Sequence, residues 1–233
     1  MNDYLNLLLE TLEDPAPGLF FDKHKRAKVP KRAYRSGHAN NPSSTASEIA
    51  QLKELCGTLP NGLDALTDLY RLHNGVRMYQ LPKRGTDTAV YAVELYPLKD
   101  WDTHTAYWTS EDMTWAMDDC PLYKCGPWRV IGTFGSEAMS IVMFFGGVYE
   151  GIEQAGRCYC LGLDGYLGYE EELAESFEQF AIQLSGKRIV DTFDRVGFTS
   201  FIQTEVMDGR PVGFGDVVKK YLPDVTRNRH LVD

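Results

Sequence analysis

The chain has 233 residues and a formal net charge of −9, with enough apolar material for a substantial core in one enlarged domain or a domain with appendages. Its longest apolar run, Ile141-Val142-Met143-Phe144-Phe145, falls far short of the roughly 20 residues a membrane helix needs. The start, Met1-Asn2-Asp3-Tyr4, lacks the basic lead and cleavage site of a secretory signal, so a cytoplasmic protein with no membrane partner is expected.

Residues 1–14 place Leu5, Leu8, Leu9 and Leu12 at helical spacing, and Asp14-Pro15 should stop that helix. A basic stretch follows, with Lys23, Lys25, Arg26, Lys28, Lys31, Arg32 and Arg35. It reads as a linker or loosely packed arm; a nucleic-acid-binding tail is the sharper alternative, against which the acidic body argues. Thr45 or Ser47 is placed to cap a helix carrying Ile49, Leu52 and Leu55, which Gly57 ends. Leu59-Pro60 opens a second helix with Leu63, Leu66, Leu69, Tyr70 and Leu72 on one side, closed by Asn74-Gly75.

The period then changes. Ala89 to Tyr96, Arg129 to Phe134, Met139 to Phe145, Gly147 to Glu150 and Arg157 to Leu161 are predicted strands, punctuated by Gly135-Ser136, Gly146-Gly147, Gly151 and Asp164-Gly165. Glu175 to Leu184 returns to helical spacing and stops at Ser185-Gly186. Helices, then strands, then a helix predict an α+β fold. The expected organisation is an N-terminal helix and basic arm over 1–45, a central domain over 46–185, and a C-terminal extension over 186–233 with one or two helices packed on the domain.

Trp101, Trp108 and Trp115 are spaced by seven, which on a helix keeps the indoles near one stripe, drifting about 20° per heptad. Two readings follow. The stripe packs on the core, or the indoles stand partly exposed beside Glu111, Asp112, Asp118 and Asp119 as binding hot spots.

Charge is unevenly placed. Residues 94–178 hold four Lys or Arg and sixteen Asp or Glu, a net −12, while the flanks are close to neutral. That field repels nucleic acid and favours a basic protein partner. The three tryptophans, the four acids beside them, and Glu150, Glu153, Glu170, Glu171 and Glu172 make up the candidate partner-binding set.

The five cysteines are odd in number and read as reduced. Cys158 and Cys160 share one strand face as small core residues, and no CxxC or HExxH pattern points to a metal, so neither metal nor cofactor is expected. An acid–base pair could be assembled from His73 or His104 with Asp100, Asp102 or Glu111. No nucleophile elbow, P-loop or zinc motif accompanies them, and a helix terminus explains His73, so no catalytic residue is expected.

Four segments carry a family resemblance, over roughly residues 46–185. They are Leu59-Pro60 with the helix ending His73-Asn74-Gly75, the strand Tyr91 to Leu98 leading into Lys99-Asp100-Trp101, the run Val130 to Ser136, and Gly147-Val148-Tyr149 followed by Ser176-Phe177-Glu178-Gln179-Phe180. In this order they resemble the SUKH superfamily, which groups Smi/Knr-type fungal cell-wall regulators with many bacterial immunity proteins. The resemblance implies a mostly antiparallel sheet backed by helices. It also implies structural roles: Pro60 at a helix start, Asn74 and Gly75 at a helix end, Gly132 and Gly135 in turns, and Phe177 and Phe180 as core anchors. The implied activity is binding of another protein. In bacteria that partner is a toxin, often a nuclease, whose basic cleft an acidic plug can occupy. The other branch implies a regulatory scaffold with an endogenous partner; the compact chain without long low-complexity tails favours the bacterial type.

Overall fold

In the computed structural model, residues 3–13, 38–57, 63–81, 90–113, 117, 120–134, 139–162 and 171–185 are described, with 188, 189, 192 and 195. The basic arm, Pro60, Trp115, Asp118, Asp119, Gly135, Glu170 and nearly all of the C-terminal extension lie outside them.

Nine strands are described: β1 (His38–Asn40), β2 (Val76–Leu81), β3 (Val90–Leu95), β4 (Trp128–Phe134), β5 (Met139–Phe144), β6 (Val148–Tyr149), β7 (Ile152–Glu153), β8 (Cys158–Gly162) and β9 (Glu171–Ala174). Five helices accompany them: α1 (Asp3–Glu13), α2 (Ala46–Cys56), α3 (Leu63–Leu72), α4 (Trp101–Trp108) and α5 (Phe177–Leu184). Seven strands form one antiparallel sheet in the order β1-β2-β3-β4-β5-β8-β9, and β6-β7 forms a separate hairpin between β5 and β8. The sheet therefore follows chain order throughout, and the α+β reading holds.

Three helix ends have a local cause in the sequence. Thr45 caps α2 through a reciprocal capping box with Glu48. Those bonds hold the Glu48 carboxyl below its usual range. The Ser176 side chain caps α5 by accepting from the Gln179 N–H. After α3 the chain turns at Gly75, whose φ of +88° and closeness to the Leu95 carbonyl leave no room for a β-carbon. Asn74 is a knot beside it. Its side chain donates to Glu48 at 3.0 Å and accepts from the Leu98 N–H at 2.9 Å, and its main chain bonds to Asn41 and Pro42.

The sheet is covered on both faces. Register puts Ile141, Met143, Cys158 and Cys160 on one face, where Glu178 of α5 and Arg195 approach the thiols. Helices α1 and α3 pack with α5, and Phe177 and Phe180 are wholly buried. Ser140, Val142, Phe144 and Tyr159 point to the other face, against α4 and the turn at Leu122 and Tyr123. With both faces covered, β5 reads as a continuous apolar run rather than an alternation.

One motif residue does not sit where expected. Gly132 lies within β4, at a bulge where Val130 and Gly132 pair with the consecutive residues Val142 and Ile141. A β-carbon there would collide with the Glu94 carbonyl, so the glycine serves close strand approach rather than a turn. Four further strands depart from the predicted set. β1 and β9 are short edge strands rich in polar residues, β2 follows directly on the Asn74-Gly75 turn, and β7 has two residues. Beyond α5, Ile189 and Thr192 are buried and Arg195 donates to the Leu173 carbonyl at 2.7 Å.

Candidate protein-binding surface

The tryptophan stripe is the first candidate, and the fold turns its two described members, Trp101 and Trp108, inward. Trp101 is 3% and Trp108 2% exposed. Trp101 packs edge-on against Tyr70 and donates its indole N–H to the Tyr96 carbonyl at 3.1 Å. Trp108 donates to the Ser140 hydroxyl at 2.9 Å. Both indoles are thus satisfied inside the protein, and neither is available to a partner as a hot spot. The physical reason is the seven-residue spacing itself, which aims both rings at the sheet that α4 covers.

The acidic candidates do not converge on one patch. Trp101 contacts Phe145 just beyond the end of β5, whereas Trp108 reaches Ser140 near its start, so α4 runs opposite to β5. Glu111 and Asp112 follow the C-terminal end of α4 and are exposed. Glu150 and Glu153 lie on the hairpin that leaves Phe145, at the other end of a helix about 12 Å long. Glu171 and Glu172 sit half-buried on edge strand β9, and Glu172 is tied to Arg157 at 2.7 Å. Asp102 is likewise held by Arg129 at 2.7 Å. Two of the segment's four cations are therefore spent within the segment on its own carboxylates.

The hairpin is built as a rigid projection. Glu150 and Gly151 have φ of +51° and +82°, the paired left-handed geometry of a tight two-residue turn, with Tyr149 and Ile152 closing it. Asparagine or glycine suits the first position better; glutamate there costs roughly 1–2 kcal/mol. At the base, the backbone of Gly146-Gly147 lies directly on that of Cys125-Gly126, where a β-carbon on Gly126 or Gly147 would collide. Gln154 is buried, accepts from Tyr159 Oη at 2.6 Å and donates to the Ile152 carbonyl at 3.0 Å. The Arg157 side chain bonds to the Glu153 carbonyl at 3.0 Å. Against that fixed base, Val148 is 58% and Ile152 50% exposed. These two apolar side chains were not among the predicted site residues.

Cys56, Cys158 and Cys160 are buried among the core residues. Burial pushes Cys56 up to about 11, and burial, then Glu171, pushes Cys160 up to about 12. Cys158 is raised further by the same burial and by Glu178 and Glu172. Such thiols stay protonated near neutrality and are poor nucleophiles. His104 stacks on Tyr96 with centroids 3.8 Å apart, and its neighbour Asp102 is held by Arg129.

No protein-family model matches the chain, and no curated protein matches it. No helix among the described residues is long and apolar enough to cross a membrane.

Proposed function

We propose that the chain is a non-enzymatic, cytoplasmic protein-binding domain that serves as a bacterial immunity protein, occluding a basic toxin domain of the nuclease type. The observation that carries this reading is the net −12 over residues 94–178, with two exposed acidic pairs at opposite ends of α4, Glu111 with Asp112 and Glu150 with Glu153. A cationic nuclease cleft is complementary to such a field, which speeds association and excludes nucleic acid. The ordered motifs resembling the SUKH superfamily support the same reading. So does the use of Asn74, Phe177 and Phe180 for packing and connection rather than for a reactive cleft.

The test is co-expression with the C-terminal domain of a large secreted protein encoded by an adjacent gene, which this reading expects to be a toxin. Rescue of growth, with a stoichiometric complex that weakens as salt rises, is the expected result. Failure to rescue, with no complex at low salt, would remove the immunity reading. Charge reversal at Glu111, Asp112, Glu150 and Glu153 that leaves rescue intact would remove the acidic surface while leaving immunity standing.

A further inference from the structure

The hairpin has a shape that suits one kind of partner. Val148 stands opposite Glu153, and Tyr149 opposite Ile152, so the two exposed apolar side chains lie on opposite faces of the ribbon. A flat partner could cover only one of them. A cleft, with walls on both sides of the ribbon, covers both. The apex carries Glu150, with which no described residue forms an ion pair, and Glu153 lies beside it on the second strand. The ribbon is braced below by the glycine contacts, by Gln154 and by Arg157, so little ordering entropy is lost when it inserts. The left-handed glutamate at the turn is strain retained at an exposed position.

We infer that the β6–β7 hairpin is the element that enters the partner, as a wedge for a protein cleft with apolar walls and a cationic floor that receives Glu150 and Glu153. This deepens the proposed function and rests on it. Other occupants, such as a flat protein face or the α4 side of the molecule as the true contact, are outcomes of the test.

The full chain carries a photoreactive phenylalanine at the position of Val148, of Ile152 or of Tyr107, the last on the exposed side of α4. After irradiation in cells, crosslinked proteins are identified and the captured protein is purified and titrated. The expected result is one basic protein captured from both hairpin positions and poorly from position 107. Ile152→Asp, and separately Glu150→Gln with Glu153→Gln, then weaken its binding about tenfold or more, with unchanged unfolding midpoints. Capture from position 107 with equal or greater yield would overturn the hairpin assignment and leave the binding reading intact. Hairpin variants that bind within about twofold of the parent would do the same, because a hot spot must register on this scale. A captured protein without a basic cleft would overturn the wedge. No capture at any position, together with no rescue in co-expression, would sink both proposals.

Discussion

The segment Trp101–Trp108 and the hairpin Val148–Glu153 hold the same materials, apolar bulk beside carboxylates, and the fold uses them oppositely. In the first, both indoles point into the protein and find hydrogen-bond acceptors there, Tyr96 and Ser140. In the second, valine and isoleucine point out, and the buried polar group is Gln154 at the base. The difference lies in what each element rests on. Helix α4 lies along β4 and β5, so its stripe is covered by the sheet. The hairpin leaves the sheet at Phe145 and rejoins it at Cys158, and among the described residues no sheet or helix layer covers its exposed Val148 and Ile152. Tryptophan beside acid is therefore ambiguous until the partner of its N–H is known.

The largest effect should come from Trp108→Ala, which empties a core site and orphans the Ser140 hydroxyl. A loss of about 3–5 kcal/mol in urea unfolding is expected, and a loss under about 1 kcal/mol would mean the stripe is not core. Asn74→Ala should cost about 1–3 kcal/mol in the same assay, since it removes the bonds to Glu48 and Leu98. Alkaline pH should act on the interior in a graded way. The folded thiols of Cys56 and Cys160 ionise higher than unfolded ones, so their contribution is full below about pH 8.5. It is lost as pH climbs through the folded values, and Cys56→Ala with Cys160→Ala should flatten that decline in a pH series of unfolding midpoints.

The hairpin should respond far less. Glu150→Gly relieves the left-handed strain and should stabilise by up to about 1 kcal/mol, read as a raised midpoint. Smallest of all, Val148→Asp should leave stability within about 0.5 kcal/mol, as expected of an exposed side chain with no structural duty. A larger loss would place Val148 in the fold rather than on the surface.

Much of this architecture was legible in the sequence. Leucine spacing found α1 and α3, Thr45 was one of two cap candidates with Ser47, and the apolar run Ile141 to Phe145 marked a strand. What escaped were elements whose strand character comes from their neighbours. β1 and β9 are short and polar because they are edges, which a local pattern cannot distinguish from loop or from an acidic surface. Gly132 looked like a turn because glycine is the same letter at a turn and at a close strand approach. The candidate site was legible in its charge and not in its position. Composition placed the acids in one stretch, whereas the run of α4 against β5 separates Glu111 and Asp112 from Glu150 and Glu153. Val148 and Ile152 escaped because an exposed apolar residue and a buried one are spelled alike.

Hydrogen exchange of the full chain, alone and saturated with the captured basic partner, tests the comparison most directly. Slowed exchange confined to residues 146–157, with amides of 101–113 unchanged, is the expected result. Slowing across 101–113 with none at 146–157 would contradict it, and would return the working surface to the α4 side.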